Sequence, residues 1–249
     1  MTAPLLDLSV VIPTFNEEEN LPILWPELRE VLDGLGLRYE VIFVDDGSQD
    51  RSAEIVREFH GQDPRVRLVR LKVNSGETAA TAAGLKAVRG RYVVTMDADL
   101  QNDPRDIPTL LSQLDRWDSA TGWRVKRDDP WTKRIASRIA NRIRNALSQD
   151  DIRDSGCTFR AFRRECLGSL VLYKGFHRFI PTLLRMQGYR VVEVPVNHRP
   201  RRFGRSKYGI WNRAVSGLKD LLVVRWMKDR QLRYQVAEDL GGELPGERP

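Results

Sequence analysis

Tyr92-Val93-Val94-Thr95-Met96-Asp97-Ala98-Asp99-Leu100-Gln101 is an apolar, β-prone run that ends in two carboxylates and an amide, each two residues from the next. A strand that delivers polar side chains at its carboxyl end belongs in an open α/β sheet, because such sheets bind their ligands there. Carboxylate and amide oxygens are hard donors. They suit Mg²⁺ or Mn²⁺, which usually share their coordination sphere with substrate phosphates, so the expected substrate carries a diphosphate. Taken alone, an Asp-x-Asp behind a strand is equally a solvated turn or a helix cap. The surrounding chain has to decide.

Upstream, Leu8-Ser9-Val10-Val11-Ile12 and Glu40-Val41-Ile42-Phe43-Val44 are short apolar runs that stop abruptly in polar residues, and Val66-Arg67-Leu68-Val69-Arg70-Leu71 is a third. Leu21, Leu24, Leu28, Val31 and Leu32 recur at helical spacing between the first two. Further helices are expected over residues 52–59 and 78–88. Strands alternating with helices over about a hundred residues imply a parallel, doubly wound α/β sheet. Gly-x-Gly-x-x-Gly is absent from the first strand-helix junction, where Ile12-Pro13-Thr14-Phe15-Asn16-Glu17-Glu18 stands instead, so a dinucleotide fingerprint is not supported.

Downstream, Asp128-Asp129-Pro130 reads as a helix start. Ile135, Ile139, Ile143 and Leu147 then follow at i, i+4 steps, with Arg134, Arg138, Arg142 and Arg144 on other faces, which predicts a basic amphipathic helix. Val191-Val192-Glu193-Val194-Pro195-Val196 fits an edge strand, where a proline is tolerated. A last helix is expected over residues 208–230, and the Gly-, Glu- and Pro-rich stretch after Val236 is expected to be disordered. The expected organisation is a catalytic domain over residues 1–205, an amphipathic helical appendage over 206–236 and a tail over 237–249.

The net charge of +7 hides an asymmetry: residues 1–122 hold 13 Lys+Arg against 21 Asp+Glu, and residues 123–249 hold 28 against 13. A first half near −8 and a second near +15 suggest that the later half meets an anion: nucleic acid, lipid headgroups or a phosphorylated acceptor. No nucleic-acid motif is present, and an acidic first half opposes that partner. Cys157 and Cys166 are too few for a disulfide framework and lack zinc-ligand spacing, which fits a reducing cytoplasm. No leader pattern and no apolar run of spanning length occur, so no transmembrane span is expected.

Five blocks, in order, resemble the family 2 glycosyltransferases of the GT-A fold, and within them the branch that transfers sugars to dolichyl or polyprenyl phosphate. They are Val11-Ile12-Pro13-Thr14-Phe15-Asn16-Glu17, Val44-Asp45-Asp46-Gly47-Ser48, Asp97-Ala98-Asp99-Leu100-Gln101, Asp154-Ser155-Gly156-Cys157-Thr158-Phe159-Arg160 and Arg201-Arg202-Phe203-Gly204-Arg205-Ser206-Lys207-Tyr208. The resemblance covers residues 8–235. It implies a Rossmann-like, mostly parallel sheet flanked by helices, with C-terminal amphipathic interfacial helices. It also implies an inverting, metal-dependent transfer from a GDP- or UDP-linked sugar.

Carried over block by block, the resemblance lines the nucleotide-sugar with Pro13, Thr14, Phe15 and Glu17, then with Val44, Asp45 and Asp46, of which Asp46 is the first choice for base or ribose. Gly76, Asp97, Ala98 and Asp99 complete that side. Asn74-Ser75-Gly76-Glu77 departs from the family, where a lysine often follows the glycine. Asp97, Asp99 and Gln101 are implied as the ligands of Mg²⁺ or Mn²⁺. The acceptor phosphate falls to Arg124, Lys133, Arg134, Ser137, Arg201 and Lys207.

A phosphate monoester, with a second pKa of about 6, arrives anionic at neutral pH, so a cationic cradle matters more than a general base. Asp99, Arg124, Asp154, Arg201 and Lys207 form the implied catalytic set. Asp154 is either a base for a hydroxyl acceptor, as in other family 2 enzymes, or a positioning group that holds an arginine. His177, in Gly175-Phe176-His177-Arg178-Phe179-Ile180-Pro181, either opens an interfacial helix or is a surface histidine beside aromatic packing. Phe176, Phe179, Ile180, Trp211, Leu221, Leu222 and Trp226 either lie in the headgroup plane or pack as core. The expected location is the cytoplasmic membrane face, through peripheral attachment or a small integral partner.

Overall fold

The computed structural model describes residues 6–125, 152–203 and 210–232. The predicted basic helix with Lys133, Arg134 and Ser137, the 204–209 stretch with Lys207, the boundary at 205/206 and the 237–249 tail lie outside the described residues.

Strands β1 (Leu6–Thr14), β2 (Tyr39–Asp45), β3 (Val66–Arg70) and β4 (Gly90–Thr95) alternate with helices α1 (Leu21–Gly34), α2 (Ser52–Gln62) and α3 (Glu77–Ala87). Helix α4 (Ile107–Ser112) leads to β5 (Ser119–Arg124); β6 (Arg160–Arg163), α5 (Ile180–Met186), β7 (Val191–Val196) and α6 (Ile210–Asp229) follow. The seven strands form one sheet in the order β3-β2-β1-β4-β6-β5-β7. All run parallel except β6, which is antiparallel to both β4 and β5. The first four strands form the expected parallel sheet, and the whole is mostly parallel as expected, with β6 the exception. Val191–Val196 is the edge strand that its Pro195 called for.

Alternate residues of each central strand feed opposite faces. Val10, Ile12, Val41, Phe43 and Val94 join one core with Leu21, Leu24 and Leu28 of α1, Ile55 and Val56 of α2 and Ile107 and Leu110 of α4. Val11, Ile42, Val44 and Val93 join the other with Ala80 and Leu85 of α3 and Ile180 and Leu184 of α5. Burial on both faces is why these strands read as continuous apolar runs rather than alternating ones. Helix α3 lies so close to the sheet that a Cβ at Gly84 would stand 2.3 Å from Val11 Cγ1 and 2.9 Å from Val44 Cγ2.

From β1 the chain winds outward through β2 to β3, then returns past β1 to β4. That reversal opens a crevice at the carboxyl ends of β1 and β4, the place where ligands bind in open α/β sheets. The loop after Thr14 and the segment from Asp97 to Gln101 flank it.

A third cluster joins Phe176, Phe179 and Leu183 to Leu221 and Val224 of α6. Four of the seven residues considered for the headgroup plane, Phe176, Phe179, Ile180 and Leu221, are thus core. Phe176, Phe179 and Leu221 bury because α6 folds back over the Phe176–Phe179 turn, and Ile180 packs against the sheet. Leu222 and Trp226 face outward, 53% and 61% exposed. The side chain of Trp211 lies outside the described residues.

Candidate active site

Beyond β4 the backbone turns sharply. Leu100 takes a left-handed φ of 64°, unusual for a branched side chain, while its side chain is buried. Asn102 Oδ1 accepts from Asp97 N at 2.9 Å, and Asp99 Oδ1 accepts from Gln101 N at 3.1 Å. Thr158 Oγ1 donates to Asp97 Oδ2 at 2.6 Å. Burial, helped by Asp99 and Glu77, pushes the Asp97 carboxyl up to about 7.

Arg201 reaches this turn from the far end of β7: its Nη2 donates to Asp99 Oδ2 at 2.5 Å and to Gln101 Oε1 at 3.4 Å. Gln101 Nε2 also lies 3.3 Å from His198 Nε2 and donates to Arg199 O at 3.4 Å. Neither His198 nor Arg199 was singled out in the sequence, although both stand within three residues of Arg201.

The donor set fits a small hard cation. Among the described residues no group of three or more His, Cys, Asp or Glu side chains is placed to hold a metal. A cation here would therefore rest on two carboxylates and the Gln101 amide oxygen, leaving positions for substrate phosphates, as Mg²⁺ and Mn²⁺ sites do. The guanidinium of Arg201 already stands on two of those oxygens as a positive charge.

On the other side of the crevice the β1 and β2 loops are laced together. Ser48 Oγ accepts from Asn16 N, Ser52 Oγ from Glu17 N and Asn16 Oδ1 from Gln49 N, at 3.0, 2.8 and 2.9 Å. Between them is a cavity of about 350 Å³, lined by Asn16, Glu17, Glu18, Glu19, Asn20, Gln49 and Asp50. Pro13 pairs with Val44 in register, and the Thr14 hydroxyl donates back to Ile12 O.

Asp45 and Asp46 are both buried and both engaged. Asp45 accepts from Ser48 N and Arg70 Nε. Asp46 accepts from Ser75 N at 2.7 Å, Gly76 N at 2.8 Å and Asn74 Nδ2 at 3.1 Å, so it anchors the loop that contains Gly76. A carboxylate has about four acceptor positions, so one more donor fits on Asp46. Val44 points into the core against α3, and Ala98 is buried too, so neither presents a side chain to a ligand. They belong to the frame because the sheet covers them.

The wall toward β5 and β6 is cationic. Arg124 Nε and Nη2 donate to Asp154 Oδ2 and Oδ1 at 2.7 and 2.8 Å, a two-pronged ion pair with 19% and 9% of the side chains exposed. Burial lowers the Arg124 pKa, yet the Asp154 carboxylate outweighs it and the net shift is upward. Gly156 makes room for this pair, since a Cβ there would lie 3.1 Å from Arg124 Nη2.

Beneath sits Arg160, only 1% exposed, donating to His177 O, Ser155 O and Thr121 Oγ1 at 2.7, 3.3 and 3.3 Å. His177 is a packing residue rather than a surface one: its Nδ1 is 2.7 Å from Thr78 Oγ1 and its Nε2 is 3.4 Å from Glu77 Oε1. Of the implied site residues, Asp99, Gln101 and Arg201 are brought into direct contact, while Asp97, at the head of the same turn, is held by Asn102 and Thr158. Arg124 and Asp154 are brought onto each other.

With this geometry in hand, comparison with known proteins is informative. The profile of Glycosyl transferase family 2 matches residues 9–170. An undecaprenyl-phosphate 4-deoxy-4-formamido-L-arabinose transferase of Edwardsiella ictaluri is 40% identical over 206 residues, 82% of this chain and 63% of the relative. A dodecaprenyl-phosphate galacturonate synthase of Rhizobium johnstonii is 38% identical over 237 residues, 93% of this chain and 69% of the relative. The chain thus spans a little under two thirds of the first relative's length. Among solved structures, glucosyl-3-phosphoglycerate synthase from Mycobacterium tuberculosis with Mn²⁺, UDP-glucose and phosphoglyceric acid superposes with a TM-score of 0.65 at 19% identity, over 90% of this chain and 79% of that one. At that identity the likeness establishes a shared fold.

Proposed function

The chain belongs to glycosyl transferase family 2, and from that premise we propose that it transfers a sugar from a UDP- or GDP-linked donor to a polyprenyl phosphate, with inversion at the anomeric carbon. Two relatives with about two fifths of their aligned residues in common carry names that describe sugar transfer involving a polyprenyl phosphate, which supports the acceptor class.

The observation that carries the reading is the Arg124–Asp154 pair. The acid that would serve as general base toward a hydroxyl acceptor is tied to a guanidinium by two short bonds. An acceptor that is already anionic needs no base, and a held arginine is what it does need. In this scheme Asp97, Asp99 and Gln101 hold Mg²⁺ or Mn²⁺, which when bound would neutralise charge on the departing diphosphate. Glu17 and Asp46 orient the nucleotide. Arg124 and Arg201, with Lys133, Arg134, Ser137 and Lys207, gather the acceptor phosphate, whose oxygen attacks the sugar from the face opposite the leaving group.

No described helix is long and apolar enough to cross a membrane. For a lipid acceptor we assign the membrane contact to the outer face of α6, where Leu222, Val223 and Trp226 stand exposed between Lys219 and Arg230. Attachment is peripheral, at the cytoplasmic face, directly or through a small integral partner. Purified protein incubated with UDP- and GDP-sugars, Mn²⁺ and a short prenyl phosphate should yield a charged lipid that releases its sugar in mild acid, and chelation should stop the reaction. A neutral glycoside, or undiminished turnover after chelation, would overturn the proposal.

A further inference from the structure

Arg201 brings a permanent positive charge from the β7 end of the molecule onto the Asp-x-Asp-x-Gln turn, and its backbone is fastened without its help. Gln101 O accepts from Arg199 N at 2.9 Å, and Asn102 and His198 form an isolated bridge. The guanidinium of Arg199 spans Glu27 of α1 at 2.6 Å and Asp103 at 2.8 Å. The segment is therefore pinned two residues before Arg201. The Arg201 side chain, 35% exposed, can leave its partners by rotation about its own bonds while the pinned backbone stays.

Its partners are the informative part. Asp99 Oδ1 accepts from the Gln101 backbone amide, and Oδ2, the oxygen without a backbone partner among the described residues, holds Arg201. The same guanidinium touches Gln101 Oε1. A guanidinium has only donors and keeps its charge at any working pH. A divalent ion bound at Asp99 Oδ2 would stand beside that guanidinium, and like charges that close repel.

We propose that Arg201 is an exchangeable counter-cation. In the metal-free protein it neutralises Asp99 and holds Gln101; a divalent cation displaces it, and the freed guanidinium turns to a phosphate anion. This rests on Asp97, Asp99 and Gln101 being the metal site and on the acceptor being a phosphate. The consequence is a coupling: metal opens a phosphate ligand, and by linkage a phosphate held on Arg201 tightens metal by the same factor. Metal and acceptor phosphate therefore bind with positive cooperativity, and a protein that lacks the metal captures the phosphate less strongly.

The test is Mn²⁺ titration of the full chain without nucleotide, following free Mn²⁺ by electron paramagnetic resonance. Arg201→Gln should bind Mn²⁺ about tenfold more tightly than wild type, within the usual range of such couplings. Geranyl phosphate should tighten Mn²⁺ binding several-fold in wild type and leave Arg201→Gln unchanged. Equal or weaker Mn²⁺ binding by Arg201→Gln, with wild type binding normally, overturns the exchange and leaves the metal site standing. Absence of Mn²⁺ binding in wild type overturns both.

Discussion

Replacing Asp154 separates a positioning carboxylate from a catalytic base. Alanine there removes both acceptors of the Arg124 guanidinium, at 2.7 and 2.8 Å, and the longer bond from Arg124 N at 3.3 Å. Both side chains are mostly buried, so the loss leaves a charge uncompensated in a poorly solvated place. Breaking a buried pair in this way costs about 3–5 kcal/mol. For a chain of this size each kcal/mol lowers the melting temperature by about 2–4 °C, so Asp154→Ala should melt roughly 6–20 °C lower. Asp154→Asn keeps one neutral acceptor and should lose less. Thermal unfolding and steady-state kinetics with prenyl phosphate are read on the same samples. A positioning role predicts lower stability, a higher KM for the acceptor and an unchanged acid limb in the pH profile. If Asp154→Asn melted like wild type while kcat fell about a thousandfold and the acid limb vanished, Asp154 would be a general base and the phosphate-acceptor argument would lose its footing.

Two further outcomes follow from the titrating groups. Burial first, then Asp99 and Glu77, raise Asp97 to about 7 from an ordinary value of 3.8, so its protonation stabilises the metal-free fold fully below pH 4, and that contribution fades as pH rises through 7. Since a metal needs the ionised carboxylate, Mn²⁺ should raise the melting temperature more at pH 8 than at pH 5.5, and equal rises would contradict the assignment. Burial likewise lifts the Cys157 thiol to about 11 and the Cys166 thiol to about 12, so neither should react with a thiol reagent in the native protein at pH 7.5, while both should after denaturation. Rapid native labelling of Cys157 would contradict its burial.

The first four strands and the turn from Asp97 to Gln101 were legible because their evidence is local. A run such as Val41-Ile42-Phe43-Val44 has no stable place except between two helical layers, and Asp97, Asp99 and Gln101 lie within five residues of one another. Strands β5 and β6 offered no such signal. Ser119-Ala120-Thr121-Gly122-Trp123-Arg124 is small and polar, and it is a strand because β6 and β7 close over both of its edges. Arg160-Ala161-Phe162-Arg163 begins with a guanidinium that is tolerated in the interior only through acceptors contributed by Thr121, Ser155 and His177. The pairing of Asp154 is with a residue thirty positions earlier in the chain, and the burial of Phe176 depends on a helix some forty-five residues later, so neither was visible locally.

The charge split between the halves acquires a more exact meaning in the fold. A second half near +15 suggested an external anion, and part of that anion proves to be the chain's own first half. Arg199 answers Glu27 and Asp103, and Arg201 answers Asp99, each pair joining a late arginine to an early carboxylate across the crevice. These pairs differ in what they can give up. Arg199 is held by two carboxylates and fixes the segment. Arg201 stands on one carboxylate of the turn proposed to receive a cation, so the proposed exchange would free its charge. Basicity that looks uniform in composition thus divides, among the described residues, into arginines such as Arg199 that fix the architecture and Arg201, which the proposed exchange would release, a division that only the pairing partners reveal.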